Sequence, residues 1–234
     1  MASTDFAALT DGVDAATFAR GVTQGVTPPS GGGTHVYAFN SIVSGVTGAA
    51  GLKYTALNFD PYSNSGRISG ALIRLPSGGP TGFAPMLFVN GGNSVNDTAY
   101  VLGLQDADPH FIVLRKSALN TGLPDGAATP LTNGILRRST ASYANNTWLH
   151  LQLEAETTGT GDVRLRVMQN DLDANDVTSP VWVAVPGMDE FVDDIAQINT
   201  GSAPLNGGRA GFAFWANDIT RRAAYDHLTV ARQL

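Results

Sequence analysis

Cysteine is absent from this 234-residue chain, and glutamate and lysine are nearly so. Glu occurs only at 154, 156 and 190, and Lys only at 53 and 116. Without Cys there are no disulfides and no thiolate metal sites, so stability must come from packing. Glu and Lys are strong formers of surface helices, whereas Asp and Gly favour turns and caps. Their shortage excludes a helical bundle, a coiled coil and most doubly wound α/β arrangements. Charged residues make up 15% of the chain, against about 25% in an average domain. No stretch approaches the roughly 18 apolar residues of a membrane-spanning helix. The opening residues lack a basic segment followed by an apolar run, so the expectation is a protein made and left in the cytosol.

What the chain does have is 43% hydrophobic residues, 27 Gly, 12 Pro, 17 Asp and 12 Arg. That hydrophobic content is too high for a disordered chain. A chain this long buries roughly 70% of its unfolded surface, enough for one sizeable core. The net charge of −6 argues against a general attraction to nucleic acid, which needs clustered Lys and Arg. Neither a nucleic-acid nor a membrane partner is expected.

Residues 1–33 differ from the rest and read as an N-terminal arm. Asp14 is placed to cap a short helix through residues 15–19, stopped at Gly21. Thr27-Pro28-Pro29-Ser30-Gly31-Gly32-Gly33 then reads as a linker. A free arm and a segment packed along a sheet edge both fit. Residues 34–234 form one domain of about 12 short strands broken by Gly, Asn, Asp and Pro. Those strands are expected at 35–43, 54–59, 67–75, 84–90, 99–105, 110–115, 133–138, 147–156, 162–169, 181–185, 209–216 and 222–231. Residues 189–198 are less regular and suggest one or two helical turns, with Phe191, Ile195 and Ile198 on one face.

One hairpin can be read residue by residue. Leu149, Leu151, Leu153 and Ala155 alternate with polar residues, as do Val163, Leu165 and Val167. Centring the turn on Thr160 pairs Glu156 with Arg164, Glu154 with Arg166, Ala155 with Leu165 and Leu153 with Val167. Both faces agree in this register. The ion pairs select the register more than they stabilise it, each being worth under about 1 kcal/mol.

The same pairing argues against catalysis. Glycosidases use two convergent carboxylates with one pKa raised. Glu154 and Glu156 share a strand face, yet each has an Arg across from it that favours the ionised form. Asn170-Asp171-Leu172-Asp173-Ala174-Asn175-Asp176 has alternating oxygen ligands. An EF-hand would need Gly and Glu where Asp176 and Trp182 stand. A different Ca²⁺ loop, using Asp171, Asp173, Asn175 and Asp176, and an ordinary Asx-rich turn both remain open. His35, His110, His150 and His227 lie on separate strands, and no nucleophile elbow, zinc helix or phosphate loop occurs. Trp148, Trp182 and Trp215 serve either as core and edge packing or as a platform for sugar rings. On the second reading Trp148, His150 and Gln152, which alternate along one strand, are the ligand-binding residues. Arg137-Arg138 and Arg221-Arg222 are two basic doublets. Brought together, they would suit an acidic partner surface.

Three stretches together resemble the concanavalin A-like and laminin-G-like sandwich. They are Tyr100–Leu104 with His110–Lys116, Thr147–Leu153 with Gly161–Val167, and Gly208–Trp215 with Tyr225–Val230. The resemblance implies an all-β jelly-roll sandwich, a fold that hosts lectins, glycosidases, lyases and structural modules alike. The glucanase signature of that family, a Glu-x-Asp-x-x-Glu run, is absent. The whole chain is also similar to structural proteins of tailed-bacteriophage virions. Thr27–Thr34, Gly82–Val89, Asp108–Lys116, Ser179–Trp182, Pro186–Met188 and Gly208–Trp215 carry that likeness. It implies a non-enzymatic particle component, assembled in the host cytoplasm, contacting other virion proteins and copies of itself. The alternative is a tail-associated module that binds host glycans. A polysaccharide hydrolase or lyase ranks third.

Overall fold

The computed structural model describes residues 18–22, 29, 35–39, 51–56, 65–75, 83–91, 98–105, 109–118, 135–171, 177, 179–188, 190–196, 202–216 and 222–233. Among these there is no α-helix, and the strands form two antiparallel sheets.

The larger sheet contains β1 (Phe18–Val22), β2 (His35–Phe39), β14 (Arg222–Gln233), β4 (Ser65–Leu75), β9 (Trp148–Thr157), β10 (Val163–Asn170) and β11 (Trp182–Ala184), in that order. Its eighth strand, β12 (Phe191–Asp193), pairs with the other end of β10. The smaller sheet runs β3 (Gly51–Ala56), β13 (Arg209–Ala216), β5 (Phe83–Gly91), β6 (Thr98–Leu104), β7 (His110–Ala118) and β8 (Ile135–Tyr143).

Twelve of these fourteen strands overlap the runs expected from alternation. The other two replace expected helical turns. Phe18 and Ala19 lie in β1, paired antiparallel to Phe39 and Ala38. A neighbouring sheet edge satisfies backbone groups that a lone helical turn would leave to water, and short helices are marginal without packing. Of the expected arm, residues 18–22 are therefore the outermost strand of the larger sheet. Residues 1–17 lie outside the described residues. In β12, Phe191 and Asp193 are buried while Val192 is 39% exposed, a period of two rather than 3.6.

Alternate residues of the central strands point inward. Ile68, Leu72, Leu151, Leu153 and Leu165 from the larger sheet meet Leu87, Leu102, Ile112, Leu114, Phe212 and Phe214 from the smaller one. The opposite face of the smaller sheet has its own buried cluster of Ala84, Met86, Phe88, Ala99, Val101 and Ala213.

Polar side chains inside the sandwich are joined to one another. Tyr225 reaches from β14 to the smaller sheet, where its hydroxyl donates to Ala213 O and accepts from Met86 N at 3.0 Å. Asp193 takes a hydrogen bond from Tyr100 at 2.6 Å and an ion pair from Lys116 at 2.7 Å. Lys116 also donates to the carbonyls of Ser202 and Ala203, and Leu205 N donates to the Tyr100 hydroxyl. This cluster fastens β12 and the 202–205 segment to β6 and β7. Gly208 follows, with φ +133°, and a Cβ there would meet Gly91 O at 2.5 Å. Only glycine fits such a backbone-to-backbone approach.

Candidate functional site

The hairpin of β9 and β10 sets the geometry of the outer face of the larger sheet. Its register pairs Glu156 with Arg164, Ala155 with Leu165, Glu154 with Arg166 and Leu153 with Val167. Leu149, Leu151, Leu153 and Ala155 point into the core. Trp148, His150, Gln152, Glu154 and Glu156 therefore face outward in succession.

The face divides into two halves. The lower half is ionic. Arg164 lies 3.4 Å from Glu156 and 3.1 Å from Glu190. Arg166 lies 3.9 Å from Glu154, 3.5 Å from Glu156 and 3.0 Å from Glu190. Every Glu of the chain is thus held in one network with two Arg. Glu190 is its bridge, a role the sequence reading did not give it. Arg166 Nε donates to Glu190, and that hydrogen bond pushes the Arg166 pKa above its usual value.

The upper half is aromatic and largely uncharged. Across the strands, Ala224 aligns with Ile73 and Trp148, and Asp226 with Ala71 and His150. Below them Thr229, Ser69, Gln152, Met168 and Ala184 form one row. Small residues on β4 leave the larger side chains of β9 standing over the sheet. His150 is 6% exposed, and its ring lies edge-on to Trp182, with centroids 4.7 Å apart. Trp148 and Trp182 are half-buried, and Gln152 is buried. Asn170 fixes the approach of β11, since its Oδ1 accepts from Val181 N at 2.8 Å, and so positions Trp182.

His150 is held in a defined state. Burial, with the charge of His227 as a smaller cause, pushes its pKa down to about 4. The imidazole is neutral at pH 7, and its buried Nδ1 has no hydrogen-bond partner. Such an atom is costly to leave unmet and is ordinarily met by a protein group or an ordered water. His227 comes within reach because β14 shifts register between Asp226 and Thr229 and His227 adopts φ +51°. Its backbone N–H donates to Asp226 Oδ1. A bulge of this kind re-aims side chains. The signal for it was in the sequence: the inward residues Tyr225 and Leu228 are three apart, where alternation requires two.

The remaining expected groups lie elsewhere. Asp171 is exposed, and its N–H donates to Val181 O. Asp173, Asn175 and Asp176 lie outside the described residues. Among the described residues, no cluster of three His, Asp or Glu side chains is placed to hold a metal. The side chain of Trp215 and all of Arg221 also lie outside them. Arg137 and Arg138 stack on Phe191 and Phe111 at 4.8 and 4.6 Å. His110 is engaged by Arg74.

No protein-family model and no curated protein matches the chain. Solved structures do. A carbohydrate-binding module, CBM66, from Bacillus subtilis is 12% identical, with 92% of this chain and 94% of that one aligned and a TM-score of 0.47. The carbohydrate recognition domain of Emp46p, in a potassium-bound form, is 10% identical over 85% and 83% of the two chains, with a TM-score of 0.49. An endo-β-1,4-glucuronan lyase from the fungus Trichoderma reesei is 11% identical over 92% and 87%, also at 0.49. Likeness this distant carries no argument about this chain, whose own strands give an all-β fold of two antiparallel sheets.

Proposed function

We propose that the chain is a carbohydrate-binding module that takes a glycan on the outer face of its larger sheet. Trp148 and Trp182 supply apolar ring faces for a sugar, and His150 and Gln152 supply the polar contacts. The observation that carries this reading is the edge-on contact of His150 with the half-exposed Trp182 ring, on the outer face that Trp148 shares. The reading is of binding without turnover, because each Glu is tied to Arg164 or Arg166. Neither the described residues nor the comparisons lend support to a virion role, and the proposal does not include one.

A glycan array probed with the purified protein tests it. Binding to a defined glycan set, lost in His150→Ala with the fold intact by circular dichroism, is the expected result. Binding to no glycan, or binding unchanged in His150→Ala, overturns the reading.

A further inference from the structure

The apolar side chains left in solvent gather along one edge of the larger sheet. Among the described residues, the large exposed hydrophobics are Val181, Val183, Val192 and Ile195. The first two lie at β11 and the others at β12 and just after it, and both strands pair with the same side of β10. Val181 is 55% exposed and Val183 37%, and Ala184 is exposed beside them. The edge of β11 is therefore open to solvent.

Its backbone is open as well. Asp171 N–H donates to Val181 O at 2.8 Å, Val183 pairs with Gln169, and Val185 N–H donates to Val167 O at 3.4 Å. The odd-numbered residues thus face β10, and by alternation Trp182 and Ala184 turn their N–H and C=O groups away from it. Among the described residues nothing bonds those outward groups. A bare edge is ordinarily blunted by charge. Residues 177–188 carry none, and Pro180 and Pro186 bound the stretch that can pair.

We propose that β11 pairs antiparallel with β11 of a second copy of this chain, about a two-fold axis at Val183. Trp182 then exchanges N–H···O bonds with the second copy's Ala184, and Ala184 with the second copy's Trp182, so every outward group of both edges is met. Val183 meets its own counterpart between them, in the close position that suits a β-branched pair. On the outer face each indole lies opposite a small Ala rather than opposite another indole. The segment is its own complement in this register, and it brings no charge against Val181 and Val183, which selects a second copy over a charged peptide strand. An isologous contact of this kind closes after two chains. The two outer faces point the same way, so a surface bearing the glycan of the preceding reading meets both at once. The pairing itself does not rest on that reading, and its test uses no glycan.

Analytical ultracentrifugation of the intact protein from about 1 to 200 μM tests the pairing, a span that covers a weak two-chain contact. The mass is expected to rise from 24.4 kDa toward twice that value. Ala184→Pro removes an N–H that β10 does not use, so the fold stands by circular dichroism while dimer affinity falls at least about tenfold. Val183→Lys sets like charges opposite each other at the axis, is expected to have the same effect, and serves if the proline variant fails to fold. Val192→Lys, on β12 of the same edge, is expected to leave the dimer as it is. A native protein that is monomeric throughout, a dimer that survives either of the first two substitutions, or one that Val192→Lys dissolves equally overturns the proposal.

Discussion

The His150 imidazole meets the Trp182 indole edge-on, with planes 63° apart. The contact joins β9 to β11 across β10, so one aromatic surface spans three strands of the larger sheet. Removing either ring should cost the face its shape without opening the core, since Trp182 is only half-buried. Trp182→Ala is expected to lower affinity for an array-identified glycan by about tenfold, the worth of one aromatic contact with its buried area. Isothermal titration reads this directly. An unchanged affinity would move the site off this face.

The same histidine gives the protein a pH dependence of definite sign. Its folded pKa of about 4 lies below the usual 6.5. Between those values the unfolded chain holds a proton that the folded chain does not. Stability from this residue is therefore complete above pH 6.5 and falls as the pH drops toward 4. The loss is on the order of 3 kcal/mol across that window. Urea titrations of the native protein and His150→Gln at several pH values isolate the effect. The variant should show the shallower slope, and parallel slopes would contradict the assignment.

The buried Lys116–Asp193 pair is the charge cluster on which the fold depends. Its side chains are 1% and 0% exposed. Lys116→Met takes the lysine's charge away from Asp193 while Tyr100 stays, at a cost of about 3–5 kcal/mol. Combining Lys116→Met with Asp193→Asn should recover part of that loss in urea denaturation, because the carboxylate's buried charge is then gone. A double variant no more stable than the single one would show that lost packing dominates.

Exposure gives the opposite expectation for the Glu190 network. Arg164 and Glu190 are 36% and 43% exposed. Glu190→Gln should cost under about 1 kcal/mol and less at high salt, although it removes two short ion pairs. A salt-independent loss above that value would mean the network also holds β12 in place.

Local periodicity made some of this legible in the sequence and left the rest hidden. The β9–β10 register could be read because both faces of both strands carry matching patterns over seven paired residues. Trp148, His150 and Gln152 could be placed on one face for the same reason. The partnership of His150 with Trp182 depends on Asn170 gripping Val181, a contact around a connection that has no period of its own. Asp193 reads as one more acidic residue of a turn-rich stretch. Only the closure of the sandwich shows that Tyr100 and Lys116 converge on it. Arg115 follows an unbroken apolar run, Phe111 to Leu114, so nothing local says which face of the smaller sheet it takes.

Tyr225 tests how far a single hydroxyl couples the two sheets. It belongs to β14 of the larger sheet, is fully buried and packs against Phe212 with ring centroids 4.9 Å apart. Its oxygen sits between Met86 and Ala213, which face each other in the smaller sheet. Burial pushes the phenol pKa up, so the hydroxyl stays protonated and able to donate throughout the ordinary pH range. Tyr225→Phe keeps the ring packing and removes the bridge, leaving a buried N–H and a buried carbonyl each short of a partner. The expected loss is about 1–3 kcal/mol, read as a lower urea midpoint with an unchanged slope. If Met86 and Ala213 re-pair with each other instead, the loss vanishes and amide exchange at Met86 stays slow. The sheets would then be coupled by apolar packing alone. A measurable loss with faster exchange at Met86 would locate that coupling in the hydroxyl.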